Sequence, residues 1–298
     1  MNVDLHGRTA VVTGASSGLG EETAAVLAAA GARVILAVRN PDRGAASARR
    51  ITERAPGADL VVEQVDLSAL ASVRAFIDRL RNSTIDILVN NAGAVASAKR
   101  TVTADGFESH LGVNHIAHFV LTHGLVPALL RSTHARVVAL SSVMHRSTGA
   151  IDLGLAETRP YRASNAYAQS KLACGLFGLE LDRRAKAAGL HLTSVVAHPG
   201  WSNTSLFPTD GGVPFFSRFF GRIGGTLASS PAKGALSQIR AATDLSLMGG
   251  EFIGPRFLAW GRPSLEIPGP NMNDVRSAIR LWDVSEERTG VSWDDVWG

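Results

Sequence analysis

Short apolar runs recur along this chain, separated by longer stretches of helical character. Runs at 34–38, 60–65, 85–89, 137–140 and 192–197, with an opening run at 8–13, read as continuous rather than alternating. Strands covered on both faces, as in a parallel sheet, carry that pattern. The first intervening helix is predicted over 21–30, alanine-rich, with acidic residues in its opening turn and Gly31 as its C-terminal cap. Leu67-Ser68 opens another that ends near Arg81, 161–186 has helical character, and Ser230-Pro231 supplies an N-cap and first-turn proline for 232–243. The alternation predicts an α/β fold: a single domain over 1–298, with a doubly wound parallel sheet and helices on both faces. Residues 200–229 break the rhythm and read as a lid or loop, and 255–298 as a C-terminal tail.

Composition narrows the function classes. A chain of 298 residues, 45% hydrophobic, buries a substantial core. Its 30 basic and 26 acidic residues are interspersed, and pairs such as Arg49-Arg50 and Arg183-Arg184 read as solvated helix faces, which argues against nucleic acid as a partner. Cys174 is the single cysteine, so no intramolecular disulfide forms, and the opening Met-Asn-Val-Asp-Leu-His-Gly lacks the regions of a secretory signal. A reducing, cytoplasmic setting is expected. The most apolar helix candidate, 119–130, is too short for a bilayer span and carries His123, Gly124 and Pro127, so no transmembrane segment is expected.

Candidate chemistry begins where the opening run meets Thr-Gly-Ala-Ser-Ser-Gly-Leu-Gly. Gly14, Gly18 and Gly20 form a G-x-x-x-G-x-G turn before a helix, where the backbone can approach an anion closely and free amides present partial positive charge to a phosphate. Tyr167 and Lys171 stand at i, i+4, on one helical face, where a lysine can stabilise a tyrosinate. The run 137–140 ends in Ser141-Ser142 at the carboxyl edge of the predicted sheet, where ligands of such sheets bind. Ser142 is the preferred donor to a substrate carbonyl, with Ser141 satisfying strand-end backbone groups.

These motifs, with Asn90-Asn91-Ala92-Gly93 and Asn114 in order and spacing over nearly the whole chain, resemble the short-chain dehydrogenase/reductase family and its Rossmann-like fold. Val113-Asn114-His115-x-x-His118-Phe119, His198-Pro199-Gly200 and Leu281-Trp282-x-x-Ser285-Glu286-x-x-Thr289-Gly290 are similar to its retinol-dehydrogenase-like branch. The resemblance implies an oxidoreductase moving a hydride between a nicotinamide cofactor and a small carbonyl or alcohol substrate. By it, Tyr167 is general acid or base, Lys171 holds the nicotinamide ribose, Ser142 binds the substrate oxygen and Asn114 positions a relay water. The cofactor would lie on Gly14, Ser16, Ser17, Gly18, Leu19 and Gly20, with Asp66 and Leu67 at the adenine, Asn90, Ala92 and Gly93 beneath the adenosine half, and Pro199, Gly200 and Thr204 around the nicotinamide and diphosphate. After 34–38, the place where NAD-preferring relatives carry an acid holds Val38 followed by Arg39. A guanidinium there can bind a 2′-phosphate, so NADP(H) is preferred with NAD(H) as the alternative, Arg39 pointing to solvent being the competing reading.

Other features read as structural. His115, His118 and His123 lack the accompanying ligands of a metal site, so no metal is expected; His145 and Cys174 read as packing residues. Phe207, Phe215, Phe216, Phe219 and Phe220 suggest a lid over an apolar substrate, a buried or subunit-facing helix, or, with Arg218 and Arg222, weak membrane-surface association. A homo-oligomer is compatible with the family. Two rival functions remain: a silent NADPH-binding regulator, which would have lost Tyr167, Lys171 or Ser142, and a nucleotide-sugar-modifying enzyme, for which the residues after Gly254 are few.

Overall fold

Side chains of successive strand residues leave opposite faces of a sheet, so an unbroken apolar strand needs a cover on both sides. The computed structural model, which describes residues 3–94, 99–154, 160–200, 230–258 and 260–297, meets that requirement. Its strands are β1 (Thr9–Thr13), β2 (Arg33–Val38), β3 (Leu60–Gln64), β4 (Ile87–Asn90), β5 (Ala135–Leu140), β6 (Leu192–Ala197), β7 (Phe252–Pro255) and β8 (Pro263–Leu265), arranged β3-β2-β1-β4-β5-β6-β7-β8. Every pairing is parallel except that of β8 on β7.

The helices among the described residues are α1 (Gly18–Ala29), α2 (Pro41–Arg54), α3 (Leu70–Leu80), α4 (Ser109–Leu111), α5 (Ala117–Leu129), α6 (Ala163–Ala187), α7 (Pro231–Thr243), α8 (Val275–Thr289) and α9 (Asp294–Trp297). A π turn, Gly112–Ile116, joins α4 to α5. Val11, Ile35, Leu88, Val137 and Val196 turn to the face covered by α3, α5, α6 and α8, whereas Ala10, Val12, Leu36, Val138 and Val195 turn to α1, α2 and α7. Two apolar layers, one on each face, account for the continuous runs.

Boundaries shift from the expected ones for local reasons. β4 starts at Ile87 rather than 85 because Ile85 N–H bonds Ala128 O, and the Asp86 carboxylate accepts from Thr9 N–H at 2.8 Å, Arg8 at 2.7 Å and Ser132 at 2.6 Å. The third helix starts at Leu70 rather than 67–68. Asp66 folds back to accept from Ser68 N–H at 2.9 Å, and the Asp105 carboxylate accepts from Leu70 N–H at 2.8 Å in place of a local cap. The C-terminal segment forms β8 and α8, and α8 packs on α6 through Leu281 and Trp282. Trp282, Trp293, Phe119 and Phe177 there form an aromatic cluster with ring centroids 4.7 to 6.4 Å apart. No helix among the described residues is long and apolar enough to cross a membrane.

Strand order reverses between β1 and β4. The connections from β1 run outward to β2 and β3, and those from β4 run the other way, so a crevice opens at the carboxyl ends of these two strands.

Candidate active site

The glycine turn occupies one wall of that crevice. Gly14 and Gly18 adopt φ of 69° and 61°, conformations that a Cβ disfavours. A Cβ on Gly14 would lie 2.9 Å from Ala92 Cα, and one on Gly20 would lie 2.5 Å from Gly14 O. Ser17 is the N-cap of α1, yet its side chain makes no capping bond, which leaves the first amides of a twelve-residue helix available to an anion. The turn is braced from behind. The Ser47 hydroxyl bridges Ala15 O at 2.8 Å and the Glu21 carboxylate at 2.9 Å, and Arg50 pairs with Glu21 while reaching Ser16 O at 3.3 Å. Glu21 loses solvent by burial, but its bonds to Arg50 and Ser47 outweigh that and hold its carboxyl below the usual range.

On the other wall, Tyr167 and Lys171 lie one turn apart on α6, with Lys171 Nζ 6.0 Å from the Tyr167 ring centroid. Lys171 Nζ donates to Leu140 O at 3.1 Å, and Ser141 Oγ donates to Lys171 O at 2.8 Å, so the end of β5 grips the helix at this point. Ser141 thereby takes the structural part. Ser142 caps the 3₁₀ turn Val143–Ser147, accepting from Met144 N–H at 3.3 Å. Among the described residues, the Tyr167 hydroxyl bonds no protein group.

Asn114 lies in the π turn. Its Oδ1 accepts from Ala94 N–H at 2.7 Å and its Nδ2 donates to Ser170 Oγ at 2.9 Å, joining the strand-β4 loop to α6. The extra residue of a π turn disturbs the helical ladder. The Asn114 carbonyl oxygen accepts from the Cys174 thiol at 3.1 Å and from His118 Nδ1 at 3.0 Å. His118 must therefore hold its proton on Nδ1, and its Nε2 accepts from the Thr13 hydroxyl at 3.0 Å, which itself receives Ala92 N–H at 2.9 Å. Burial pushes the His118 pKa down to about 4 and that of His115, whose Nε2 meets Ser285 Oγ at 2.9 Å, to about 3. His123 stacks edge-on to Trp293 instead, so the three histidines do not converge. Burial raises the Cys174 thiol pKa, consistent with a packing role.

A nicotinamide dinucleotide fits these residues. Gly93 lies between the two walls: a Cβ there would be 3.4 Å from Asn114 Oδ1 and 3.4 Å from Lys171 Nζ. Asn91, within the Asn90-Asn91-Ala92-Gly93 motif, clamps the turn through Nδ2 to Thr13 O at 2.7 Å and accepts from Gln238 of α7 at 3.1 Å. Asn90 lies beneath, its Nδ2 donating to Thr122 Oγ1 at 2.9 Å. Arg39 is exposed just beyond β2, two residues after Ala37, whose carbonyl accepts from Gly14 N–H. Asp66 spends one carboxylate oxygen on Ser68 N–H and Oγ, and Leu67 is buried behind it.

Pro199 and Gly200 follow β6, and their turn is set by His198, whose Nδ1 accepts from Gly200 N–H at 3.1 Å. The Nε2 proton then faces the Glu266 carboxylate 3.2 Å away. Gly269 N–H donates to His145 Nε2 at 3.0 Å, and His145 Nδ1 donates to Ser142 O at 2.6 Å. The segment after β8 thus straps the Ser142 turn to the Pro199 turn. Sequence gave no signal for Glu266 or Gly269, which meet their partners from 68 and 124 residues away. Thr204 and the Phe-rich stretch lie outside the described residues.

Phosphate-binding geometry on one side of the switch point and a tyrosine above a lysine on the other define the class: a nicotinamide-dependent oxidoreductase. The short chain dehydrogenase family model matches residues 8–210. Human retinol dehydrogenase 12 is 35% identical over 297 residues, covering 98% of this chain and 90% of that protein, and mouse retinol dehydrogenase 14 is 36% identical, covering 96% and 87%. Among solved structures, an uncharacterised Mycobacterium paratuberculosis protein superposes with a TM-score of 0.82 at 39% identity over 97% of this chain and 96% of that one. The Pseudomonas aeruginosa RhlG/NADP complex superposes with 0.63 at 27% over 85% and 96%. The chain belongs to the short-chain dehydrogenase/reductase family, in its retinol-dehydrogenase-like branch, and is an oxidoreductase acting on CH–OH or C=O groups with NAD(P).

Proposed function

We propose that this enzyme uses NADP(H) to interconvert a small, apolar carbonyl compound and its alcohol, with Tyr167 moving the proton. The observation that carries the reading is the stacking of Tyr167 over Lys171 Nζ, which itself lies against Gly93. When bound, the nicotinamide supplies or receives the hydride. Tyr167 gives its hydroxyl proton to the substrate oxygen in reduction and takes it back in oxidation. Lys171, anchored on Leu140 O, keeps two further N–H bonds for the ribose and places positive charge beneath the phenol. Ser142 donates to the substrate oxygen, and Asn114 couples the Ala94 loop to α6, holding Lys171 and the relay path in register. Arg39 would take the 2′-phosphate; its exposed place just beyond β2, the strand whose Ala37 bonds Gly14, supports that choice. The RhlG/NADP complex is consistent with it. The apolar substrate is supported by the retinol dehydrogenases among the relatives, and a cytoplasmic setting by a lone, buried Cys174.

The test titrates NADPH and NADH in parallel by calorimetry and then screens apolar aldehydes and ketones for loss of nicotinamide absorbance. Tyr167→Phe is expected to lower kcat by about 10²- to 10⁴-fold, the range of general acid–base catalysis, with NADPH affinity within about threefold of the parent. Retained turnover in this variant would remove Tyr167 from the chemistry.

A further inference from the structure

The two tyrosines of the chain, Tyr161 and Tyr167, are linked through Glu108 and His110, a buried pair that the chemistry above does not use. Glu108 and His110 are each 1% exposed, and His110 Nδ1 lies 2.8 Å from Glu108 Oε1. The Tyr161 hydroxyl donates to the same oxygen at 2.9 Å, and Leu111 N–H donates to Oε2 at 3.0 Å. Both carboxylate oxygens are therefore satisfied, and burial, which alone would raise the Glu108 pKa, is outweighed by its bonds to His110 and Leu111. The imidazole held by this carboxylate stands edge-on to Tyr167, with ring centroids 5.9 Å apart and planes at 69°.

A buried carboxylate–imidazole pair is a poor way to gain stability, because apolar side chains of the same volume serve as well or better. What it provides is direction: an imidazole bonded through Nδ1 presents a fixed edge. Lys171 lies below Tyr167 on α6, His110 of α4 packs against it with Glu108 behind, Tyr161 reaches that carboxylate from the segment leading into α6, and Asn114 bonds Ser170 of α6. The charge of Arg100 also acts on Tyr161, partly opposing the effect of Glu108. Of these, His110 is the one whose ring packs against the Tyr167 ring.

We propose that His110 is a positioning residue for Tyr167, anchored by Glu108 and braced by Tyr161, fixing the plane of the phenol and standing between it and the Glu108 carboxylate. The proposal rests on Tyr167 being the proton-transfer residue. Two effects follow from removing the imidazole. The phenol ring gains orientations that do not react, which lowers kcat more than KM. The Glu108 carboxylate also loses its nearest compensating dipole, so tyrosinate forms less readily.

The chain's tyrosine content makes the second effect directly readable. Burial and the Glu108 carboxylate push the Tyr161 pKa well above its usual range, so the ultraviolet tyrosinate signal of the intact protein, followed against pH, is expected to show one step, that of Tyr167. Tyr161→Phe should leave that step in place. His110→Ala should raise its midpoint by about half a pH unit or more and lower kcat about tenfold, with dinucleotide and carbonyl KM within about twofold. His110→Phe, which restores a ring edge without the bond to Glu108, should recover kcat to within about threefold while the midpoint stays high. Should His110→Ala not fold, the Phe variant's raised midpoint carries the test.

Unchanged midpoint and kcat in His110→Ala, with only a lower Tm, would make the cluster packing and overturn the proposal, as would loss of the step in Tyr161→Phe. A midpoint that moves in a parent protein without turnover on any carbonyl would uphold the contact and sink the catalytic role of Tyr167 instead.

Discussion

Arg39 and Glu108 illustrate two kinds of residue in this site. Arg39 is read from neighbours in sequence, since it follows the second strand where the ribose hydroxyls of a bound dinucleotide would lie, and it is exposed there. A charge-assisted bond to a 2′-phosphate contributes about 1.5–3 kcal/mol, so Arg39→Ala should weaken NADPH binding about 10- to 100-fold. NADH affinity should stay within about twofold, because the lost partner is the phosphate. Parallel titrations decide it, and equal losses for both dinucleotides would refute the assignment. Tyr167 and Lys171 were legible in the same way, because i, i+4 spacing on a helix is itself a statement about proximity. Glu108, His110 and Glu266 were not, since each takes its role from a partner supplied by a different element.

Among elements, the helix interruption at Gly112–Ile116 and the docking of α8 matter most to the site. The π turn turns Asn114 toward both the Ala94 loop and α6, and Cys174 and His118 occupy its carbonyl oxygen. The helix α8 covers the outer side of α5 and α6, with Ser285 bonding His115, Glu286 accepting from Trp293 N–H at 2.7 Å and Gly290 closing the helix at φ 65°. The Leu-Trp-x-x-Ser-Glu-x-x-Thr-Gly pattern seen in the sequence is the record of this docking. Trp293 is fully buried against Phe119, His123, Trp282 and Trp297. Trp293→Ala should therefore cost about 3–5 kcal/mol of stability in urea unfolding, the range for large-to-small core changes. A loss below about 1 kcal/mol would mean that α8 is not part of the folding unit.

At the scale of the whole molecule, the buried titratable groups determine its response to acid. His118 and His145 have pKa values pushed down to about 4 and His115 to about 3, in each case chiefly by burial. A histidine with a depressed folded pKa stays neutral while the unfolded chain takes up a proton below about pH 6.5, so stability falls as pH drops from there toward the folded value. For His118 the full effect is about 3 kcal/mol. Asp86, whose bonds to Ser132, Arg8 and Thr9 outweigh its burial, has a lowered pKa, and so do Glu108 and Glu21. Their stabilisation is present above the ordinary carboxylate range and is lost as pH falls through the folded values, which extends the same trend. The thermal midpoint should drop steeply between about pH 6.5 and 4, and His118→Gln should make that slope shallower by about one proton. An unchanged slope would show that His118 is not buried and neutral in solution.

The sequence by itself determined the strand and helix alternation, the glycine turn and the Tyr167–Lys171 pair, because periodicity, turn conformation and helical spacing are properties of neighbouring residues. Only the tertiary structure decided that Asp105 caps α3, that Glu266 and Gly269 strap the Ser142 and Pro199 turns together, and that Glu108 aims His110 at Tyr167. Those partners come from loops and edges whose paths are set by how eight strands order themselves, and a buried carboxylate, amide or imidazole acquires its function from whichever group the packed sheet and helices bring within hydrogen-bond reach.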